Sequence, residues 1–361
     1  MSSINNRTAD RIVHSVRTTD RQALIVGVAS VVCLLGAFVG FLAGSSLTAV
    51  FVAGFLLVVS YGWYARQALT AKGLTFLATV STLLTMGLII VFVLREALPA
   101  IRYMGLIDLI SYTNEPMWNT GGEQIYSLAP ALVGTVIETL LAVAIAGPLG
   151  VAGALFISEV APGWLREILK PGIEILAGIP SIVFGYLGLV VLNPYFSSSS
   201  AFGLPGLGSL FAVGLVVGVM ALPTVVSVAE DAISSVPESM KQGSLALGAT
   251  DWQTMTGITM PAAFSGISAA VLLGVGRAVG ETMAATVILG NVTELPTPVF
   301  DVFDNTITLT SLIASQYGNA SGLHVNALFA AGAVLFVTVM VISVVSQMIE
   351  HRMVRRLGGK Q

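Results

Sequence analysis

Charged side chains are missing from long stretches of this chain. No Asp, Glu, Lys or Arg occurs between Arg21 and Arg66, Lys72 and Arg95, Glu174 and Glu230, Asp251 and Arg277, or Asp304 and Glu350. A helix rises about 1.5 Å per residue, so about 20 apolar residues cross the hydrocarbon of a bilayer. There the backbone must satisfy its own hydrogen bonds, and a helix does so within one segment. The pattern predicts eight spans, at about residues 23–43, 46–65, 74–95, 128–158, 172–193, 207–229, 263–290 and 325–349. The first two share one uncharged block. A single helix over that block would be about 60 Å long, twice the hydrocarbon thickness. Gly44, Ser45 and Ser46 are therefore read as a turn. The predicted fold is an all-α polytopic transmembrane bundle.

Composition agrees. Apolar residues make up 55% of the 361 and charged residues 10%, against about 25% charged in soluble domains. A net charge of −3 offers no basic surface for nucleic acid. Cys33 stands alone, and His14, His324 and His351 have no metal-ligand spacing. No cleavable signal peptide is expected, and the first span reads as a signal anchor.

Basic loop residues set the orientation of a membrane protein. Arg7, Arg11, Arg17, Arg21, Arg66, Lys72, Arg166, Lys170, Lys241, Arg352, Arg355, Arg356 and Lys360 fall on one side of the eight-span reading. They are 13 of the 16 basic residues. The other side keeps Arg95 and Arg102, so both termini are expected in the cytoplasm of a cell-membrane protein. The chain then divides into a tail with three spans (1–98), an extracytoplasmic loop (99–127), a five-span domain (128–349) and a basic tail (350–361). Glycines at short spacing, such as Gly150 with Gly153 and Gly214 with Gly218, predict close helix packing.

Residues 230–262 form the longest inner segment. Pro237 and Glu238 mark a helix start, and Gly248 marks its end. Thr250 with Gln253 three residues on reads as a capping box opening a second helix. Met240, Leu245, Leu247, Trp252 and Met255 give this protrusion an apolar face. One cation, Lys241, is few for a helix lying on lipid, so docking on a partner is the favoured reading.

Arg277 and Glu281 lie four apart in the seventh predicted span, which would place them on one helix face. An ion in hydrocarbon must face a polar interior. The pair is either a lock between helices or a site on an anion path, since a guanidinium fork matches phosphate oxygens. Glu138, mid-span, is a second buried carboxyl, read as neutral, hydrogen-bonded or paired with Arg277. The chain has no Gly-x-x-x-x-Gly-Lys-Ser/Thr loop for nucleotide phosphates, no catalytic constellation and no expected cofactor of its own.

The inner segment resembles the coupling loop of ABC-importer permeases through Gly248, Ile258 and Pro261. Gln242, Gly243 and Ser244 replace that loop's Glu-Ala-Ala triplet. From about Pro130 onward the chain resembles the PstC-type phosphate permeases, through SEVAPGWLREILKPGIEILAGIPSIVFGYLGL (158–189), GVGRAVGETMAATVILGN (274–291) and SGLHVNALFAAG (321–332). The resemblance implies a type I importer permease. Arg277, Glu281 and Glu138 would line the substrate path, and Pro237, Lys241, Gln242, Gly243, Ser244, Leu245, Gly248, Trp252, Ile258 and Pro261 would couple to the ATPase. It implies a second homologous permease, two ATP-binding subunits and an extracytoplasmic phosphate-binding protein as partners. Importers of sulfate, molybdate or tungstate are the nearest alternative, and an ion-driven secondary transporter a more distant one. Two of the three N-terminal spans exceed the family pattern.

Overall fold

The computed structural model describes residues 21–198 and 208–357. Arg7, Arg11, Arg17, Lys360 and residue 207 lie outside the described residues. The chain divides between Ile90 and Val91 into two compact units.

The first unit holds α1 (Arg21–Leu42) and most of α2 (Leu47–Met104). Gly44 turns the chain between them with a left-handed φ of 61°, a conformation that costs glycine nothing. A straight α2 of 58 residues would be about 87 Å long. Arg66 interrupts it with φ −150° and ψ 62°. A Cβ built on Gly62 would lie 2.7 Å from the Thr70 hydroxyl, although eight residues along a straight helix span about 12 Å. The chain therefore reverses at Arg66. The inner loop expected around Arg66 and Lys72 is a sharp reversal instead, and Lys72 is helical.

In the second unit, the end of α2 leads to α3 (Leu106–Ser111) and a short hairpin, β1 (Trp118–Asn119) against β2 (Ile125–Tyr126). Next come α4 (Ala129–Leu155), which runs through a wider turn to Val160, and α5 (Gly163–Gly178). Helices α6 (Ser181–Leu187) and α7 (Asn193–Ser198) are joined by another wide turn, and α8 (Leu210–Ser234) follows. Two short helices, α9 (Glu238–Ala246) and α10 (Asp251–Thr254), precede α11 (Met260–Val279). The chain continues through α12 (Met283–Ile288) and α13 (Leu309–Gln316) to α14 (Leu323–Leu357).

Helix α8 is the centre, with 61% of its apolar window buried. Helices α4 and α11 pack on it. Lipid tails are as apolar as leucine, so helices in a membrane associate through close packing of small residues. A Cβ on Gly150 of α4 would meet Val225 at 2.6 Å, and one on Gly218 of α8 would meet Ile145 at 3.0 Å. A Cβ on Gly214 would lie closer still, 2.4 Å from Leu141.

Among the described residues, five helices are long and apolar enough to cross a membrane, or six if α5 with the run from Ser181 counts as one bent span. The span expected at 172–193 is not straight: these segments meet at 86°. Pro180 lacks an N–H and forces the residue before it out of the helical region. Ile179 is accordingly extended, at φ −68° and ψ 127°. The span expected at 263–290 is also cut, because α11 stops at Val279 and α12 begins at Met283.

Gly150→Ala is expected to push α4 off α8 and lower the melting temperature of the detergent-purified protein, by about 1–3 kcal/mol of stability. Gly147→Ala, whose Cβ would have its nearest neighbour at 3.9 Å, should leave it unchanged.

Candidate functional site

Arg277 sits in the last turn of α11, where the helix's carbonyl end favours a cation. Its side chain is exposed, and among the described residues it makes no hydrogen bond or ion pair. Glu281 does not share its helix face. The helix has already ended at Gly280, whose ψ of 0° breaks the 3.6-residue period. Glu281 is buried, and its Oε1 accepts the Ala284 N–H at 3.1 Å. It thereby caps the first turn of α12. Its backbone carbonyl accepts the Thr310 hydroxyl at 2.6 Å, which fixes the start of α13 against it.

Glu138 faces this junction from α4. It is 2% exposed, and its Oε1 has no hydrogen-bond partner among the described residues. Of the three readings for Glu138, pairing with Arg277 is not formed. One turn earlier, the Thr135 hydroxyl accepts the Leu309 N–H at 2.9 Å. Helices α4, α12 and α13 thus meet at a polar centre around Glu281, four residues past the exposed Arg277. Among the described residues, no group of three or more His, Cys, Asp or Glu is arranged to hold a metal ion.

The segment 230–262 is a helical elbow. Pro237 precedes α9, and Gly248 closes it with φ 89°. Thr250 and Gln253 form the reciprocal cap of α10, with N–H···O distances of 3.3 and 2.9 Å. Pro261 opens α11. Gln242 and Gly243 are exposed, whereas Ser244, Ile258 and Pro261 are half-buried. Leu247 is 91% exposed and Trp252 68%, so the elbow presents apolar surface that no other described residue covers.

The elbow is tied to the bundle by contacts between residues far apart in sequence. Lys241 Nζ meets Glu159 Oε1 at 2.6 Å, with both side chains more than four-fifths buried. The Thr254 hydroxyl bonds to Ser244 at 3.0 Å. Arg166 donates to the carbonyls of Ile157 and Ser158, holding the end of α4 against α5. Lys170 then joins α5 to Glu230 of α8 at 2.8 Å. A cavity of about 320 Å³ lies inside the elbow, bordered by Glu159, Lys241 and Trp252.

Residues 146–357, which contain the elbow and Arg277, match the family described as binding-protein-dependent transport system inner membrane component. The chain belongs to that family. The permease is 34% identical over 292 residues to the phosphate transport system permease protein PstC of Haemophilus influenzae, across 75% of this chain and 91% of that one. It is 40% identical over 234 residues to the probable ABC transporter permease protein YqgH of Bacillus subtilis, across 64% and 74%. Its fold matches one chain of a bacterial ABC transporter involved in the import of the acidic polysaccharide alginate. There the TM-score is 0.52 at 16% identity, over 80% of this chain and 99% of that one. The permease is a multi-pass membrane protein with the all-α fold of ABC importers.

Sequence reasoning did not find Glu159, Glu230 or Thr254. A carboxylate at the end of an apolar run carries no local signal of its partner, since Glu159 and Lys241 are 82 residues apart. Charge reversal at either residue of this pair is expected to destabilise the permease by about 1–3 kcal/mol. The double reversal should recover most of it, as read by the melting temperature in detergent.

Proposed function

We propose that this permease is the membrane subunit of an ATP-driven importer of inorganic phosphate. Several phosphate transport permeases are related to it at 32–36% identity over 67–75% of this chain. The observation that carries the reading within the chain is Arg277, a guanidinium that is exposed at a helix end and makes no hydrogen bond or ion pair among the described residues. Such a cation cannot face lipid cheaply. It therefore faces a wet path, and the chemistry it offers there is bidentate contact with an oxyanion.

In this reading a second, homologous permease completes the path around Arg277. Glu138 and Glu281 border it as buried carboxyl groups. Glu281 acts by holding α12 and α13 in place beside Arg277, not by pairing with it. An extracytoplasmic binding protein delivers phosphate, and two ATPase subunits supply the energy that this chain has no nucleotide loop to harvest. Eight crossings follow if α2 counts twice for its reversal at Arg66 and α1 and the bent run from Ser181 each count once. Both termini then face the cytoplasm with the elbow.

The elbow's exposed Leu245, Leu247 and Trp252 fit the ATPase. Lys241 passes its movement to α4 through Glu159. The triplet Gln242, Gly243 and Ser244 replaces the family's carboxylate with neutral groups, so the contact rests on apolar surface.

Arg277→Ala is expected to abolish ATP-dependent phosphate uptake in reconstituted vesicles while the complex still assembles. Uptake at the wild-type rate would remove Arg277 from the path, and uptake of sulfate but not phosphate by the wild type would reassign the substrate. Separately, Leu247→Ser with Trp252→Ser should release the ATPase on size-exclusion chromatography or leave its hydrolysis uncoupled from uptake.

A further inference from the structure

A second polar feature lies away from Arg277. A cleft of about 420 Å³ opens between the β1–β2 hairpin, the end of α13 and the start of α14. Its walls include Gln124, Tyr126, Asn291, Gln316, Asn319 and His324, with no Asp, Glu, Lys or Arg among them.

The hydrogen-bond chemistry of this cleft can be worked out from one group. The Trp118 indole N–H can only donate, and it lies 2.9 Å from Gln316 Oε1. That fixes the Gln316 amide with its oxygen toward Trp118. His324 Nε2 lies 3.0 Å from the same oxygen, so Nε2 must carry the proton. Oε1 thus accepts twice, and the Gln316 NH2 has no partner among the described residues. Beside it, Tyr126 stacks on His324 with ring centres 5.8 Å apart and planes 15° off parallel. Its hydroxyl is buried and also lacks a partner. Burial, and then Tyr103, raise that phenol above its ordinary range, so it stays protonated and able to donate.

A buried hydroxyl without a partner is costly. Tyr126 lines the same cleft as the free Gln316 amide, and that lining carries no charge of either sign. Free donors without anions suit an oxygen-rich acceptor. Because it has no cation, it would hold a small anion weakly enough to release it.

Its position relates it to Arg277. Thr310 of α13 bonds to Glu281, and Gln316 lies six residues further, about 9 Å along the same helix. Asn291, which also lines the cleft, lies three residues beyond the end of α12. We propose that the cleft of Gln316, Tyr126 and His324 is a low-affinity oxyanion site from which phosphate passes to Arg277. The inference rests on the phosphate reading and on the orientation that places this end of the bundle outside.

The assembled permease–ATPase complex in detergent, without binding protein and carrying Arg277→Ala, should bind radiolabelled inorganic phosphate saturably in the millimolar range. Tyr126→Phe, which removes a hydroxyl with no partner to lose, should weaken that binding about tenfold. Gln316→Glu keeps the acceptor for Trp118 and His324 but exchanges the donor for a negative charge, and should abolish it. Absence of saturable binding, or binding unchanged in both variants, overturns the proposal. If Gln316→Glu prevents assembly, Tyr126→Phe decides alone. ATP-driven uptake by the wild type separates the two readings. If no phosphate is taken up, the phosphate assignment falls. If phosphate is taken up and both variants show wild-type uptake and binding, only the cleft falls.

Discussion

Hydrocarbon offers no partners to polar groups, and this constraint organises the chain. The backbone answers it with helices, whose N–H and C=O groups are paired within each segment. Side chains answer it by composition, since charge is excluded from stretches long enough to span. The few polar groups left inside must then be enclosed by protein. Glu138, Glu281, Thr135 and Thr310 are enclosed in this way, where α4, α12 and α13 meet. Arg277 is the exception, exposed in the single chain, and it is the residue that most requires a wet path or a second subunit.

With no hydrophobic drive between helices, the bundle depends on how closely backbones approach. Gly150, Gly214 and Gly218 bring α4 and α8 together so tightly that added methyl groups would clash. A rigid α4–α8 pair can carry force along its length. One end of it borders the polar centre. At the other, α4 is clamped by Arg166 and joined by Lys241 to the elbow, while α8 is joined to α5 by Lys170. On the proposed reading, movement of a partner docked on Leu247 and Trp252 would reach the polar centre through packed helices.

The breaks in the helices matter as much as their continuity. The 86° bend at Ile179 and Pro180 separates the charged helix α5 from the apolar run that follows it. The break at Gly280–Thr282 ends α11 beside Arg277 and lets Glu281 begin a new helix. Both interruptions leave backbone groups that need side chains or neighbouring segments to satisfy them. Glu281 does this for Ala284. A cleft of neutral donors at the far end of α13 continues the same logic, with polar groups gathered where protein surrounds them.

The sequence by itself determined what depends on neighbours a few residues apart. Uncharged runs specified membrane helices, Thr250 and Gln253 specified a capping box, and Gly248 specified the end of α9, because helix formation and capping are local. Length alone required a turn near Gly44. Tertiary structure decided what depends on distant partners. Arg277 and Glu281 read as a pair from their spacing, but the helix stops between them and the carboxylate turns to Ala284. The bend inside the span expected at 172–193 is different, since Pro180 imposes it through its own local chemistry. Lys241 found Glu159, and Gln316 found Trp118 and His324, across intervals that no helical or strand period relates. Such contacts arise only when separate helices pack, so a pattern read along one chain could not assign them.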